Sequence, residues 1–302
     1  MNKRTFSVSL LLALGLQSMA NATEPTPSTA AGTLWTEPKT GMQFVWVPSG
    51  CFNMGRNHSG GNSEYKEELP VHKVCLKGFW MGRHEVTQGQ YRQLMKKNPS
   101  LFGGTTKLKG HWGEQELPAE FVQPLDSRNH PVEWVKFNEA ERFARKMTSR
   151  AKIEVELPSE AQWEYACRAG GAHLDYCGNT DGKPDRVAWY EYNNGQKSYK
   201  QDGLRTYKML PHHPVGQLNP NNWGLYDMSG NVAEWTQDCL NDTYQGAPAD
   251  GSAWKSGNCL KRMVRGGFWG YSAQGVTATG RGGFDIDAQE YAIGFRVVRT
   301  SP

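Results

Sequence analysis

The sequence lacks the motifs that would place it in several common functional classes. It contains no Gly-x-Ser-x-Gly elbow, no phosphate-binding glycine-rich loop and no His-Glu-x-x-His zinc motif, so templates for hydrolases, nucleotide-binding proteins and zinc proteases find no match. No run of lysine and arginine stands out, and the net charge is only +4, which excludes nucleic acid as an expected partner. None of the six cysteines forms a Cys-x-x-Cys pair, which disfavours a zinc or redox site.

Long apolar runs are also missing, except at the N-terminus. Residues 1–22 combine basic residues, an apolar run and small residues, at Lys3 and Arg4, Phe6–Gly15 and Ala20–Ala22 respectively. This pattern is typical of a secretory signal peptide, and its apolar core is too short to cross a membrane as a helix. We expect cleavage after Ala22, which is not followed by a cysteine for lipid attachment, and export of the mature protein to the periplasm.

The remaining composition indicates one irregular domain. About 280 residues follow the signal peptide, which suits a single large domain. Residues 23–40 are predicted to form a flexible leader, and residues 41–302 the domain itself. The chain has 34 glycines and 11 tryptophans and no repeat or βαβ period. We therefore predict an irregular, loop-rich α+β fold in which large aromatic side chains supply much of the core.

Periodic segments predict a few regular elements within the domain. Apolar alternation predicts strands at Met42–Pro48, Cys51–Met54 and Val71–Met81. Helical periodicity with N-terminal capping residues predicts helices at Thr87–Lys96, Asn138–Arg150 and Ser159–Arg168. The third begins with a capping box made by Ser159 and Gln162, whereas the glycine- and proline-rich segment 98–129 is predicted to be irregular.

The six cysteines of an exported chain favour disulfide bonds over free thiols. Sequence alone permits many connectivities. Order and proximity favour three local pairs, namely Cys51–Cys75, Cys167–Cys177 and Cys239–Cys259.

A turn between two carboxylates is the most distinctive stretch of the chain. Residues 224–235 read Gly-Leu-Tyr-Asp-Met-Ser-Gly-Asn-Val-Ala-Glu-Trp, with Asp227 and Glu234 on either side of the turn. A turn rich in carbonyl and carboxylate oxygens can hold a hard cation such as calcium. The alternative is a tight turn whose Asp and Asn side chains bond to their own backbone.

Five motifs, in order along the chain, resemble those of the formylglycine-generating enzyme (sulfatase-modifying factor) superfamily. They lie at residues 82–87 with Tyr91, 130–134, 157–166, 224–235, and 265–269 together with 294–296. In the last of these, Arg265-Gly-Gly-Phe-Trp269 resembles the family's Arg-Gly-Gly-Ser-Trp. The resemblance implies a C-type-lectin-like fold. It also implies a calcium site with side-chain ligands from Asp227 and Glu234 and carbonyl ligands from Gly230 and Val232. The closest match to the family's second calcium site is Asp202-Gly203-Leu204. The sequence does not decide whether this second site is present.

The copper-binding cysteine pair of the formylglycine-producing members is absent. Its two places fall at Tyr271 and Val276, and residues 270–287 contain no cysteine. Cu(I) requires soft sulfur ligands, so the resemblance implies a member without copper. The three-histidine iron site of the related sulfoxide synthases also finds no match, because no His-x-x-x-His pair occurs among the eight histidines.

The resemblance places the remaining cleft at Trp269, Tyr271, Arg281 and Phe284. Aromatic faces and one guanidinium suit an anionic or peptide-like group. An internal salt bridge is the alternative role for Arg281.

The resemblance to exported members of this superfamily implies two main functions. The first is a non-catalytic periplasmic regulator that contacts a kinase receptor domain or an outer-membrane lipoprotein, upstream of a threonine-kinase cascade controlling type VI secretion. The alternative is a periplasmic modifying enzyme of the pyoverdine siderophore-maturation kind. In that enzyme Tyr271, Arg281 and a carboxylate such as Asp285 or Asp287 would transfer protons on a small peptide substrate. A third hypothesis is a lectin-like protein that binds a ligand through its variable loops.

Overall fold

The structure of the protein is a computed structural model. It describes residues 29–56, 63–102, 107–110, 113–116, 126–171, 175–178, 182–195, 197–201, 204–208 and 212–300. In chain order the strands are β1 (Leu34–Thr36), β2 (Gln43–Val47), β3 (Gly50–Met54), β4 (His72–Leu76), β5 (Phe79–Gly82), β6 (Lys107–Gly110), β7 (Gly113–Glu116), β8 (Val155–Glu156), β9 (Ala188–Trp189), β10 (Lys197–Gln201), β11 (Leu204–Lys208), β12 (Ser229–Gly230), β13 (Ala233–Leu240), β14 (Asn258–Arg265), β15 (Arg281–Asp285), β16 (Ile293–Gly294) and β17 (Val298–Thr300). The α-helices are α1 (Gln88–Met95), α2 (Phe137–Ala151) and α3 (Glu160–Arg168).

Two sheets organise the domain. The first has the order β1-β2-β5-β17-β8, and the second has the order β15-β14-β13-β16. Because β1 and β17 both belong to the first sheet, the two ends of the described chain lie in the same sheet. Short strands, three α-helices and long irregular connections confirm the predicted loop-rich α+β fold.

Apolar side chains pack in two large clusters around these sheets. One joins α1 and α2 to the sheets and centres on buried rings, including Tyr91, Phe143 and Phe295. The other contains Trp163 of α3 and one face of β2 and β5, whose opposite face packs in the first cluster. Within the part of the chain that the structure describes, no helix combines the length and apolar character needed to span a bilayer.

Local capping chemistry accounts for two of the three helices. Thr87 and Ser159 each cap a helix and form a full capping box with the glutamine three residues later, as predicted. The predicted Asn cap of α2 is wrong, because Lys136 occupies the N-cap position and makes no side-chain cap bond. The helix begins at Phe137, whose buried ring packs edge-on against Trp235 at 5.9 Å. Packing rather than capping therefore sets this helix start.

Three predicted boundaries differ from the structure. Val71–Met81 is two strands, β4 and β5, separated near Gly78, where a Cβ atom would lie 2.4 Å from the Trp46 ring. The flexible leader does not extend to residue 40, because β1 pairs with β2 and Trp35 packs on Phe44 at 5.3 Å. Segment 98–129 includes the paired strands β6 and β7, so its described part is not wholly irregular.

The three disulfides are those expected from the order of the cysteines. Cys51 and Cys75 face each other across β3 and β4. Cys167–Cys177 joins the end of α3 to the following loop, and Cys239–Cys259 closes the excursion between β13 and β14. All six cysteines of the chain are thus paired. Disulfides are typical of proteins outside the reducing cytoplasm, which indicates an extracytoplasmic protein.

Candidate functional site

A buried ion-pair network lies where α3 meets β14 and β15. The helix places Glu160 and Glu164 one turn apart on one face. Arg265 of β14 reaches both, with an Nη1–Oε1 distance of 2.8 Å to Glu160 and an Nη2–Oε2 distance of 2.7 Å to Glu164. Arg168 binds the other oxygen of Glu164 at 2.6 Å. Motif residues from two distant parts of the chain thus hold α3 against the second sheet.

Arg281 belongs to the same network. Its Nε and Nη2 atoms donate to the two carboxylate oxygens of Glu160 at 2.7 and 2.8 Å. Its Nη1 donates to the carbonyl oxygens of Glu67 and Asn241, and its guanidinium lies over the Tyr244 ring at 4.2 Å. Its side chain is fully buried and bonded within the protein, which favours the alternative role of an internal salt-bridge partner over ligand binding.

The network sets the charge states of its carboxylates. Burial alone would raise the pKa of Glu160, but Arg281 and Arg265 lower it to about 2. The side chain of Asp238 accepts hydrogen bonds from the backbone N–H groups of Glu160 and Trp254. Burial, with a smaller contribution from the Glu160 charge, raises the pKa of Asp238 to about 6. Asp238 is therefore mostly ionised at neutral pH, although burial makes its charged form unfavourable.

Asp238 predicts a measurable pH dependence of stability. Its folded-state pKa of about 6 exceeds the ordinary value of 3.8, so the folded state binds this proton more tightly than the unfolded state. The contribution of Asp238 to the free energy of unfolding is fully present below its unfolded-state pKa. It is lost as the pH rises through its folded-state pKa. We expect the free energy of unfolding, relative to Asp238→Asn, to fall by roughly 2–3 kcal/mol between about pH 4 and pH 7. Urea melts across this range test it, and a constant difference would refute it.

A cleft of ≈ 360 Å³ opens beside this network. Aromatic rings, glycines of the loop after β14 and three glutamates contribute most of its wall. Its lining residues are Tyr65, Glu67, Glu68, Ala233, Val264, Gly267, Phe268, Tyr271, Gln274, Gly275, Gly280, Arg281, Gly282, Phe284, Glu290, Tyr291, Ala292 and Ile293. The loop is tight at its base, because Gly267 has φ +66° and a Cβ atom there would lie 2.2 Å from the carbonyl oxygen of Gly275.

The predicted cleft residues divide into lining and supporting groups. Tyr271, Phe284 and Arg281 line the cleft. Trp269 is buried behind it instead, with its ring 5.8 Å from Phe268 and 5.9 Å from Tyr291. Trp269 therefore supports the cleft wall rather than offering a face to a ligand.

Several lining residues were not predicted. Phe268, Tyr291 and Glu290 all line the cleft, and burial raises the pKa of Glu290. One signal in the sequence could have revealed Phe268 as a cleft residue, because it stands where the family motif has serine. The carboxylates proposed for proton transfer lie elsewhere, since Asp285 and Asp287 are exposed and lie near Lys261 and Lys136 respectively.

The places of the family's cysteine pair differ in exposure. Tyr271 is 41% exposed at the cleft, whereas Val276 is fully buried in a small cluster with Val187, Ala188 and Tyr190. All six cysteines are in disulfides, so no thiolate is available near either position for Cu(I).

The predicted calcium turn is bonded within the protein. Glu234 forms a buried ion pair with Arg296, whose Nε and Nη2 atoms each lie 2.7 Å from one of its oxygens. The Trp163 indole N–H also donates to Glu234 at 3.0 Å. Asp227 accepts from the backbone N–H of Gly216 at 2.7 Å. In this arrangement Glu234 does not fit the role of a calcium ligand.

Gly230 and Val232, the predicted carbonyl ligands, sit in tightly packed backbone. Gly230 has φ +74°, and a Cβ atom there would lie 2.1 Å from the carbonyl oxygen of Trp189. The backbone N–H of Val232 donates to Glu85 at 3.1 Å. Among the described residues, no group of three or more His, Cys, Asp or Glu side chains has metal-site geometry. The first calcium site remains a prediction, and the Asp202-Gly203 part of the second lies outside the described residues.

Several acidic side chains are nevertheless buried together at this turn. Burial, followed by the charges of Asp227 and Glu234, raises the pKa of Glu85 well above its ordinary value. Burial also raises the pKa of Asp227 to about 6, although Gly216 and Arg296 partly oppose it. Three carboxylates thus interact with the single guanidinium of Arg296.

Three histidines, His130, His212 and His213, pack against neighbouring rings. The Nδ1 atoms of His130 and His212 are 3.1 Å apart, and burial, with the His212 charge, lowers the pKa of His130 to about 4. The ring of His213 stacks on Trp189 at 3.7 Å. Packing of this kind gives these rings a structural role.

The fold and the cleft together define a protein of the formylglycine-generating-enzyme type without the copper cysteines. The profile of the sulfatase-modifying factor enzyme 1-like domain matches residues 30–301, so the chain belongs to that family. The sequence is 28% identical to the formylglycine-generating enzyme of Mycobacterium tuberculosis, over 64% of this chain and 73% of that enzyme.

Two further comparisons cover more of the chain. The serine/threonine-protein kinase pkn1 of Chlamydia pneumoniae is 28% identical over 85% of this chain, but the match spans only 38% of the kinase. The structure of PvdO from Pseudomonas aeruginosa superimposes with a TM-score of 0.69 and 27% identity, covering 90% of this chain and 99% of PvdO.

Proposed function

We propose that this protein is a non-catalytic binding protein that uses the cleft to engage a polypeptide partner. The observation that carries the proposal is the cleft itself, whose walls present Phe268, Tyr271, Phe284 and Tyr291 around ≈ 360 Å³. Exposed aromatic side chains in a concave site supply most of the binding energy in many protein interfaces. Tyr271 and Tyr291 are 41% and 39% exposed, so both remain available to a partner.

The chemistry of the cleft supports binding over oxidation. Tyr271 and Val276 replace the family's thiolates, and the disulfides leave no cysteine free to take their place. Arg281 is neutralised by Glu160, so it is not a free acid or electrophile for a reaction. What remains is an aromatic surface with carboxylates at its margin.

The partner we propose is an extracytoplasmic protein of a signalling system. The protein would act in the periplasm, upstream of a threonine-kinase cascade that controls type VI secretion, through a kinase receptor domain or an outer-membrane lipoprotein. Support comes from the disulfides, which indicate an extracytoplasmic location. Relatives that carry a kinase name also contain this type of domain.

Capture of the partner by tagged protein tests this proposal. Replacing both Tyr271 and Tyr291 by alanine should reduce recovery of the kinase receptor domain or lipoprotein by at least about tenfold, because two hot-spot rings are lost. The matched control is Tyr192→Ala, since Tyr192 is 78% exposed and lies outside the cleft lining. Thermal melts of all three proteins check folding. Equal recovery with the double variant would refute a role for the cleft.

A second candidate is a modifying enzyme of the siderophore-maturation kind. The observation favouring it is that Tyr271, Tyr291 and Glu290 all line the cleft, which gives it two phenol groups and a carboxyl group. Burial, and then the nearby Tyr291, raise the pKa of Tyr271. Such groups can exchange protons with a bound substrate. A mass change in a siderophore peptide that requires the Tyr271 hydroxyl, and is therefore lost in Tyr271→Phe, would favour this enzyme over the binding protein.

We also propose that a calcium ion binds near the turn at Asp227. The support is that Glu85, Asp227 and Glu234 share Arg296. Burial, with smaller contributions from neighbouring carboxylates, raises the pKa values of Glu85 and Asp227, and a cation would stabilise their ionised forms. Since Arg296 occupies both oxygens of Glu234, Asp227 is the better candidate ligand in this arrangement.

A further inference from the structure

Basic side chains are concentrated on the helices α1 and α2. Residues 88–97 and 137–154, which contain these helices and the residues that follow them, carry eight basic side chains but only three acidic ones. The basic residues are Arg92, Lys96, Lys97, Arg142, Arg145, Lys146, Arg150 and Lys152, and the acidic residues are Glu139, Glu141 and Glu154. All eight basic residues are exposed. We call the surface that they form the basic helical face.

Few of these positive charges are neutralised within the protein. Lys97 pairs with Glu139, and Arg145 pairs with Glu141 at 3.5 Å. Within the part of the chain that the structure describes, the other six basic side chains form no ion pair. The basic helical face therefore keeps an excess of positive charge that the net charge of +4 for the whole chain does not reveal.

Packing of the two helices brings these side chains onto one surface. Tyr91 of α1 stacks on Phe143 of α2 at 5.6 Å, and the Lys97–Glu139 pair joins the end of α1 to the start of α2. The helices are therefore antiparallel neighbours. Their apolar residues enter the same core cluster, so their polar sides both face solvent.

The spacing along α2 explains why no basic run is visible in the sequence. Arg142, Lys146 and Arg150 are four residues apart, which separates successive charges by roughly 6 Å along the helix axis. Residues with this spacing follow one strip of a helix surface, while apolar core residues occupy the positions between them. The charge is thus concentrated by helical periodicity.

The basic helical face differs from the aromatic cleft in its chemistry. None of the exposed large apolar side chains among the described residues belongs to α1 or α2, and neither helix contributes to the described lining of the cleft. Interfaces with a folded protein generally have a desolvated apolar centre, which this face does not offer. Dispersed basic side chains instead match a surface of many mobile anionic groups, such as phospholipid headgroups.

We propose that the basic helical face docks the protein onto a bilayer surface that contains anionic phospholipids. Each lysine or arginine close to such a surface is attracted by its negative potential. The attachment is peripheral, because the apolar residues of both helices are committed to the core and do not insert into the bilayer. This inference goes beyond the proposed function, since it concerns a different surface and a different partner from those of the cleft.

Co-sedimentation of the mature protein with sucrose-loaded vesicles tests this proposal. Vesicles of phosphatidylcholine alone are compared with vesicles in which about one-third of the lipid is phosphatidylglycerol. We expect the partition coefficient at low salt to be at least about tenfold higher for the anionic vesicles. Raising the salt to about 0.5 M should remove the difference, because it screens exposed charges. Equal partitioning onto both kinds of vesicle, or binding to neither, would overturn the proposal.

Matched triple variants locate the docking surface. Replacing Arg142, Lys146 and Arg150 together by glutamine, which retains helix propensity, should lower partitioning onto anionic vesicles by at least about tenfold. The control removes the same charge by replacing three exposed lysines outside both helices with glutamine, namely Lys73, Lys77 and Lys183. It should lose less than about twofold, because charges far from the bilayer are screened. Equal losses in the two variants would indicate a response to net charge alone and would overturn docking through this face.

Two further measurements complete the test. Thermal melts check the folding of both triple variants, and the single charge reversal Lys146→Glu gives the same comparison with one substitution, with a larger loss expected than for Lys73→Glu. Polyglutamate serves as a soluble acidic polypeptide. Tight binding of polyglutamate without binding to anionic vesicles would assign the face to an acidic protein partner and would overturn the membrane proposal.

Discussion

Replacing Arg265 by methionine is expected to lower the free energy of unfolding by about 3–5 kcal/mol. Methionine fills much of the arginine volume but leaves Glu160 and Glu164 without their shared partner. The carbonyl oxygen of Ala278 and the hydroxyl of Tyr244 also lose a donor. Because the Arg265 side chain is fully buried, water cannot replace these bonds without opening the junction between α3 and the second sheet.

Surface and conservative variants provide the controls for Arg265→Met. Arg145 pairs with Glu141 at 3.5 Å, and the two side chains are 65% and 38% exposed, so Arg145→Met should cost less than about 1 kcal/mol. Arg265→Lys should fall between the two, since lysine keeps the charge but not the planar fork that reaches both carboxylates. Urea unfolding measures all three. A loss below about 1 kcal/mol in Arg265→Met would show that the network does not hold the junction.

The pairing within the ion-pair network around Glu160 could not be predicted from the sequence. The motifs containing Glu160 and Arg265 were recognisable, but their pairing joins residues 105 positions apart and depends on topology. Arg281 could equally have faced a ligand, and only its position beside Glu160 resolves the choice. Local signals were more informative, since the capping boxes at Thr87 and Ser159 are set by residues three apart.

The cleft was predictable only in part for the same reason. Resemblance to the family located Tyr271 and Phe284, which line it. Tyr291 and Glu290 escaped prediction because the fold brings the segment before β16 against the loop after β14, a contact with no local pattern. Trp269 was assigned to the cleft from its motif, yet a large aromatic ring there serves equally well as packing behind the wall.

The second large effect is expected at the calcium turn. Replacing Glu234 by alanine should lower the free energy of unfolding by about 3–5 kcal/mol, because Arg296 is fully buried and loses its carboxylate partner. The Trp163 indole N–H loses its acceptor as well. This loss should be present with either calcium or a chelator, since it arises from the ion pair and not from a bound ion.

A double-mutant cycle isolates the contribution of the ion pair. Arg296→Met alone should also destabilise the protein, because Glu234 would then be buried without its guanidinium. Combining Glu234→Ala with Arg296→Met should cost less than the sum of the two single changes, since neither charge is left unpaired. Strict additivity would show that the two side chains do not stabilise each other.

Calcium itself is tested at Asp227 rather than at Glu234. Saturating calcium should raise the melting temperature of the wild-type protein above its value in chelator, because a ligand that binds only the folded state stabilises it. Asp227→Asn keeps an oxygen that can accept from Gly216 and leaves the Glu234–Arg296 pair intact, but it removes one negative charge. The shift should therefore disappear in Asp227→Asn while its melting temperature in chelator stays close to the wild-type value or rises. Identical wild-type melting temperatures with calcium and with chelator would refute a calcium ion at this turn. Arg296 would then be the cation that balances its carboxylates.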